Sequence, residues 1–151
     1  MKSETKSALY ELCSSSISQR IEHAKDALDL AQESANDETK SSAGDKHETG
    51  RAMAQLEAEK ANAQLKQAMS LKLQMEKLDA SVHTETVVLG SLIICKTSRF
   101  LLTVSAGKLE FEGHSYFAIS TDSPIGQLLF GKSKGDSVSF NGITHDIVEI
   151  T

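Results

Sequence analysis

Tryptophan is missing from this 151-residue chain, proline occurs once, and cysteine only twice. Each shortage excludes something. Cys13 and Cys95 lie far apart with no ligand spacing around either, which argues against a disulfide framework or a thiolate metal centre. They read as two reduced thiols of a cytoplasmic protein. Basic residues are in deficit, with 16 Lys and Arg against 21 Asp and Glu and a formal net charge of −5. Neither half is basic, so no electrostatic footprint for wrapping free nucleic acid is present. Long apolar runs are lacking too. The longest, Thr86 to Cys95, is interrupted by Gly90 and Ser91 and falls well short of the ~20 residues of a spanning helix. The opening Met1-Lys2-Ser3-Glu4-Thr5-Lys6 leads into no apolar signal core. A soluble protein without a membrane partner is the expectation.

What is scarce overall is also unevenly placed. Among the aromatics only Tyr10 precedes Phe100, and among the glycines only Gly44 and Gly50 precede Gly90. Positions 1–80 are instead rich in Ala, Leu, Glu, Lys and Gln. That is a long-helix composition followed by a strand-and-turn composition. Two domains are expected, 1–80 and 81–151, with the hydrophobic core concentrated in the second.

In the first half, Tyr10, Ile17, Ile21, Ala24, Leu28, Ala31 and Ala35 follow steps of seven, four and three. Ala54, Ala58, Ala61, Leu65, Ala68, Met75 and Leu78 answer them, with Leu71 or Lys72 filling one step. These are the two seams of an antiparallel helical hairpin, small near the turn and larger at the base. A seam of alanines also has high helix propensity in its own right. A polar turn over 41–48 joins the segments and forms an acidic tip. Asp45 and Glu48 within it fit a capping box, N-cap and third position, opening the second helix. Two carboxylates with no third ligand are a weak Mg²⁺ site, because that ion wants near-octahedral oxygen ligation. They could act on such an ion only by completing a site that a partner half-builds. None of the five histidines, at 23, 47, 83, 114 and 145, has metal-ligand spacing.

From His83 the hydrophobic period falls towards two. Strands are expected at 85–89, 91–96, 100–105, 108–111, 116–120, 137–140 and 143–150, with Asn141-Gly142 as a two-residue hairpin turn. Ser123 as N-cap, Pro124 in the first turn and Gly131 as terminator frame a short helix. Its Ile125, Leu128 and Leu129 would face the sheet, and the five phenylalanines read as core. The fold class is α+β, a coiled-coil hairpin followed by a small antiparallel sheet carrying one helix.

The segment Asp122-Ser123-Pro124-Ile125-Gly126-Gln127-Leu128-Leu129-Phe130-Gly131-Lys132, continued by Lys134-Gly135-Asp136-Ser137-Val138, resembles the C-terminal signature of the bacterial Gre transcript cleavage and elongation factors. There the pattern is Ser-Pro, a small residue, Leu-Leu or Leu-Ile, Gly-Lys, then Gly-Asp and alternating Val. Val88-Leu89-Gly90-Ser91 resembles the opening strand of that family's FKBP-like domain. Gly44-Asp45-Lys46-His47-Glu48 falls where the family carries Gly-Asp-x-x-Glu at its coiled-coil tip.

The resemblance spans nearly the whole chain and implies a monomeric accessory factor that is not itself an enzyme. Such a factor docks on bacterial RNA polymerase, here through Asp122, Ser123 and Pro124, and reaches the active centre by the secondary channel. Contact with DNA is weak. Asp45 and Glu48 would share a Mg²⁺ with the polymerase, which then cleaves the 3′ end of backtracked RNA. After Glu48, however, the family continues Asn-Ala-Glu-Tyr, whereas this chain has Thr49-Gly50-Arg51-Ala52. A channel-occupying regulator without cleavage activity is therefore a second reading. A coiled-coil adaptor or a prolyl-isomerase-like module is a third, from a different class.

Overall fold

The computed structural model describes residues 2–40 and 44–151, the side chains of 38–40 and 44–47 excepted. The elements are α1 (Lys2–Lys40), α2 (Gly44–Glu76), β1 (Leu92–Cys95), β2 (Arg99–Leu102), β3 (Gly107–Phe111), β4 (His114–Ile119), α3 (Pro124–Leu129), β5 (Ser137–Phe140) and β6 (Ile143–Ile150). The α+β class read from the sequence is what is found. No described helix is long and apolar enough to cross a membrane. The chain divides into two compact units, Ile17–Lys72 and Met1–Ser16 with Leu73–Thr151.

The first unit is a pair of helices. α1 meets neither Gly nor Pro, and it continues through Asn36-Asp37-Glu38 to Lys40. Its seam residues Ile17, Ile21, Ala24 and Ala31 are buried, as are Ala54, Ala61 and Ala68 of α2. Leu28, Ala35, Ala58 and Leu65 are half-buried. The open step is taken by Leu71, half-buried, while Lys72 is exposed. An alanine methyl contributes only ~0.8 kcal/mol when buried, so this pairing rests on many small terms. Of the turn expected at 41–48, Ser41, Ser42 and Ala43 lie outside the described residues.

The second unit is built around one six-stranded sheet, in the order β3-β4-β2-β1-β6-β5. It is antiparallel except for one pair. β2 and β4 run parallel, Phe100 opposite Phe117 and Leu102 opposite Ile119, because β3 comes between them in sequence but lies outside β4 in the sheet, so the second arm of the β3–β4 hairpin is the one beside β2. Both two-residue hairpin turns have left-handed backbones, Glu112-Gly113 (φ 48° and 78°) and Asn141-Gly142 (φ 51° and 77°). Asn-Gly announces such a turn; Glu-Gly does so only through its glycine.

Alternation along the central strands buries both faces of the sheet. Ile93, Cys95, Phe100 and Leu102 pack with Ile125 and Leu129 of α3, together with Val87, Val138, Ile147 and Ile150. Leu92 and Leu101 point the opposite way and are equally buried. The opening turns of α1 join the same unit, where the Cys13 thiol lies 4.0 Å from the Thr103 hydroxyl and 3.8 Å from the Met75 sulfur.

Three sequence expectations are corrected. The segment 85–89 is not a strand. Thr86 makes a single bridge to Ser133, and Val87 exchanges 2.8 Å backbone bonds with Lys132 and Gly131 before Gly90, at φ +100°, turns the chain. Leu128 is 40% exposed, since the buried stripe of α3 is Ile125 and Leu129 alone. Of the five phenylalanines, Phe130 and Phe117 are also substantially exposed.

Tyr10, expected in the helical seam, is buried but spends its hydroxyl elsewhere. It donates a 2.6 Å hydrogen bond to the Gly90 carbonyl. A side chain at Gly90 would begin 2.8 Å from that hydroxyl, so glycine is required there both for its φ and for space. Burial first, then the nearby Asp79 and Cys13, push the Tyr10 pKa from 10.0 to about 12. The folded chain thus keeps a proton that the unfolded chain releases. This contribution is complete below pH 10 and disappears as the pH approaches 12.

Denaturant unfolding followed across that window should show a loss of ~2 kcal/mol from Tyr10. Phenolate absorbance of the folded chain should contain a late-titrating tyrosine that Tyr10→Phe removes. A second expectation comes from Gly126, where an added Cβ would sit 2.1 Å from the Ser120 carbonyl oxygen. Backbone cannot yield cheaply, so Gly126→Ala should cost about 3 kcal/mol, read from the thermal midpoint.

Candidate functional site

The Asp122-Ser123-Pro124 corner is held by bonds that its own sequence supplies. Ser123 adopts extended backbone (φ −66°, ψ 151°), and its hydroxyl accepts from the Gly126 amide at 3.1 Å, capping α3. The same hydroxyl donates to the Ser120 carbonyl at 2.6 Å, and the Ser123 amide donates to that carbonyl at 3.2 Å. Pro124 follows in the first turn, where a missing N–H is no loss. Gly126 lets the helix start lie against Ser120. A six-residue helix is thereby tied at its entry to the end of β4.

Asp122 stands at the outside of this corner. Its carbonyl accepts from the Gln127 side-chain Nε2 at 3.3 Å, while the residue as a whole is exposed. Beside it is a shallow groove of about 520 Å³ lined by Leu89, Thr121, Asp122, Gln127 and Phe130. Leu89 is 50% exposed and Phe130 52%. The corner therefore presents a carboxylate next to two large apolar side chains, the composition of a small protein-binding surface.

Sequence reading placed Asp122, Ser123 and Pro124 here and missed Leu89 and Phe130. A signal for Phe130 was available. Ile125 and Leu129, four apart, define the inward stripe of α3, and Phe130 falls 100° off it. Leu89 gave none while 85–89 read as a strand.

At the other candidate site, α2 begins at Gly44, so Asp45 belongs to its first turn and does not precede it as an N-cap. The Asp45 side chain lies outside the described residues. Glu48 follows three residues later on the same helix and is exposed. Acids in a first turn are favoured by the helix dipole whatever else they do. Asp37 and Arg51 are exposed, and Gly50 is half-buried inside α2. Among the described residues no three His, Cys, Asp or Glu side chains are grouped to hold a metal ion. One exposed carboxylate, with a second acid a helical turn away, fits a Mg²⁺ only as a minority of its ligands.

The clefts that contain Tyr10 and Phe130 hold one aromatic ring each. Neither is the aromatic-lined apolar pocket that prolyl isomerisation calls for. His145 is buried on β6, its Nδ1 2.7 Å from the Ser98 hydroxyl and its ring edge-on to Phe100. That is a satisfied core histidine.

No protein-family model matches the chain, and no curated protein matches it. A solved structure of the transcription factor Gfh1 resembles it at 19% sequence identity, over 92% of this chain and 93% of that one, with a TM-score of 0.40. A likeness that loose carries no inference about what the chain does.

Proposed function

We propose that this chain is a transcription elongation factor of the Gre type, which binds bacterial RNA polymerase and acts from within its secondary channel. The observation that carries the reading is the Asp122–Lys132 segment. Its resemblance to the family's signature coincides with a stiffly held corner whose one acid is exposed beside an apolar groove. Capping a helix, by itself, has no need of that exposed acid. The helical pair supports the reading as well, since a pair of thin helices suits entry into a channel.

In this reading Asp122 pairs with a basic group on the polymerase rim while Leu89 and Phe130 exclude water from the contact. Ser123 and Pro124 act by fixing the corner before binding, which lowers the ordering cost of association. Asp45 and Glu48 provide two anionic oxygen ligands at the tip. A Mg²⁺ shared with the polymerase would supply Lewis-acid activation for hydrolysis of backtracked RNA. The chain itself remains an accessory factor. It contributes carboxylates and position.

A second reading, occupation of the channel without cleavage, is favoured by one specific feature. Arg51 stands exposed one helical turn beyond Glu48, and opposes the negative charge that a shared cation requires.

Two measurements test these proposals. Asp122→Arg should abolish capture of the full chain by RNA polymerase, with the melting temperature nearly unchanged because the carboxylate is exposed. Intact binding would move the interface elsewhere. Asp45→Asn with Glu48→Gln keeps shape and removes charge, so stability should change by only ~0.3–1 kcal/mol per residue. Cleavage of backtracked RNA should fall roughly a hundredfold or more, while competition for the channel survives. Binding by the unmutated chain with no cleavage at all would select the second reading, and Arg51→Glu is then the variant expected to restore activity.

A further inference from the structure

One buried charge has no role in the function proposed above. Lys6, on the second turn of α1, is only 2% exposed. Its ammonium has three N–H donors, and one is given to the Val82 carbonyl at 2.6 Å. The Tyr10 ring centroid is 6.0 Å away, the outer limit of a cation–π contact. No carboxylate comes within ion-pair distance among the described residues. Asp79, the acid whose field reaches Lys6, turns its Oδ1 to the Ser81 amide (2.9 Å) and hydroxyl (2.6 Å) instead. Burial accordingly pushes the Lys6 pKa below its ordinary value, and Asp79 only partly opposes the shift. A charge in this position is costly unless something else pairs with it.

Lys6 is nonetheless one of the residues that line a cleft of about 220 Å³. The neighbouring hydroxyls are committed. Thr84 donates to the Thr86 carbonyl at 2.8 Å, Ser91 accepts from the Val88 amide at 2.9 Å and is left to donate to the Thr84 hydroxyl oxygen at 3.5 Å, and Tyr10 donates to the Gly90 carbonyl. Donors remaining to a ligand come from Lys6 and from Lys77 at the cleft edge. Two lysines against Asp79 leave the cleft net positive in a chain whose overall charge is negative. Its remaining wall includes Val82 and Leu89, both about half exposed.

We propose that this cleft binds a small monocarboxylate, whose oxygens accept hydrogen bonds from the Lys6 ammonium and whose hydrocarbon end lies against Val82 and Leu89. Asp79 at the cleft opposes a second negative charge, which sets a monocarboxylate ahead of a phosphate. The apolar wall sets a short alkyl acid ahead of formate or chloride. The cleft shares Leu89 with the groove beside Asp122, but its ligand is held by Lys6, which the polymerase reading does not use, and its test involves no polymerase.

The test uses the full chain with ¹⁵N-labelled lysine, titrated with sodium propionate, acetate, inorganic phosphate or chloride at matched ionic strength. The Lys6 Nζ resonance should shift saturably with propionate, less tightly with acetate, and not with chloride. Saturating propionate should raise the melting temperature by about 3 °C relative to chloride, and Lys6→Met should abolish that increment. A shift that grows linearly with every salt, or an equal rise in Lys6→Met, would overturn the site. Tighter binding of phosphate than of propionate would overturn the ligand class. If Lys6→Met does not fold, the resonance of the unmutated chain decides alone.

Discussion

A sheet whose central strands are apolar on both faces cannot stand in water on either side, and β1 and β2 are such strands. Phe100 and Leu102 look one way and Leu101 the other, all three buried within four residues. Each face needs a cover, at roughly 1.5–3 kcal/mol for every large side chain removed from water. α3 supplies one cover through Ile125 and Leu129. The rest of the unit follows from that demand. The corner before α3 is tight because the helix must lie down immediately after β4, and Gly126 is present because anything larger would hold the helix off.

How far the sequence announced this depends on whether a local signal had a single meaning. The β5–β6 hairpin was legible because Asn141-Gly142 combines a left-handed backbone with alternating neighbours. The start and stop of α3 were legible because Ser, Pro and Gly each carry a separate steric reason for their place. Val87-Val88-Leu89 misled because an apolar triplet reads as a strand. What decides its path is the left-handed turn at Gly90, and glycine alone does not say which way it turns. The parallel β2–β4 pairing is set by which arm of the β3–β4 hairpin lies beside β2, and no local residue encodes that.

The candidate sites divide in the same manner. Asp122, Ser123 and Pro124 were found because they belong to a dense motif, and Leu89 was not because it reaches the groove from a distant part of the chain. Lys6 left no trace in the pattern at all. A lysine in the first turns of a helix reads as solvated, and only the fold of 79–91 around it reveals its burial. Tertiary surroundings give such a group its chemistry, by deciding which of its donors find protein acceptors and which do not.

The alanine seam between α1 and α2 has a mechanical consequence. Alanine has no side-chain torsion that alters its outline, so at the buried positions Ala24, Ala31, Ala54, Ala61 and Ala68 there are no rotamers to repack. Leucine seams can breathe by exchanging one side-chain arrangement for another. Here that freedom is confined to Ile17, Ile21, Leu28, Leu65 and Leu71, and the alanine positions can bend with the helices but have no side-chain rearrangement by which to thicken.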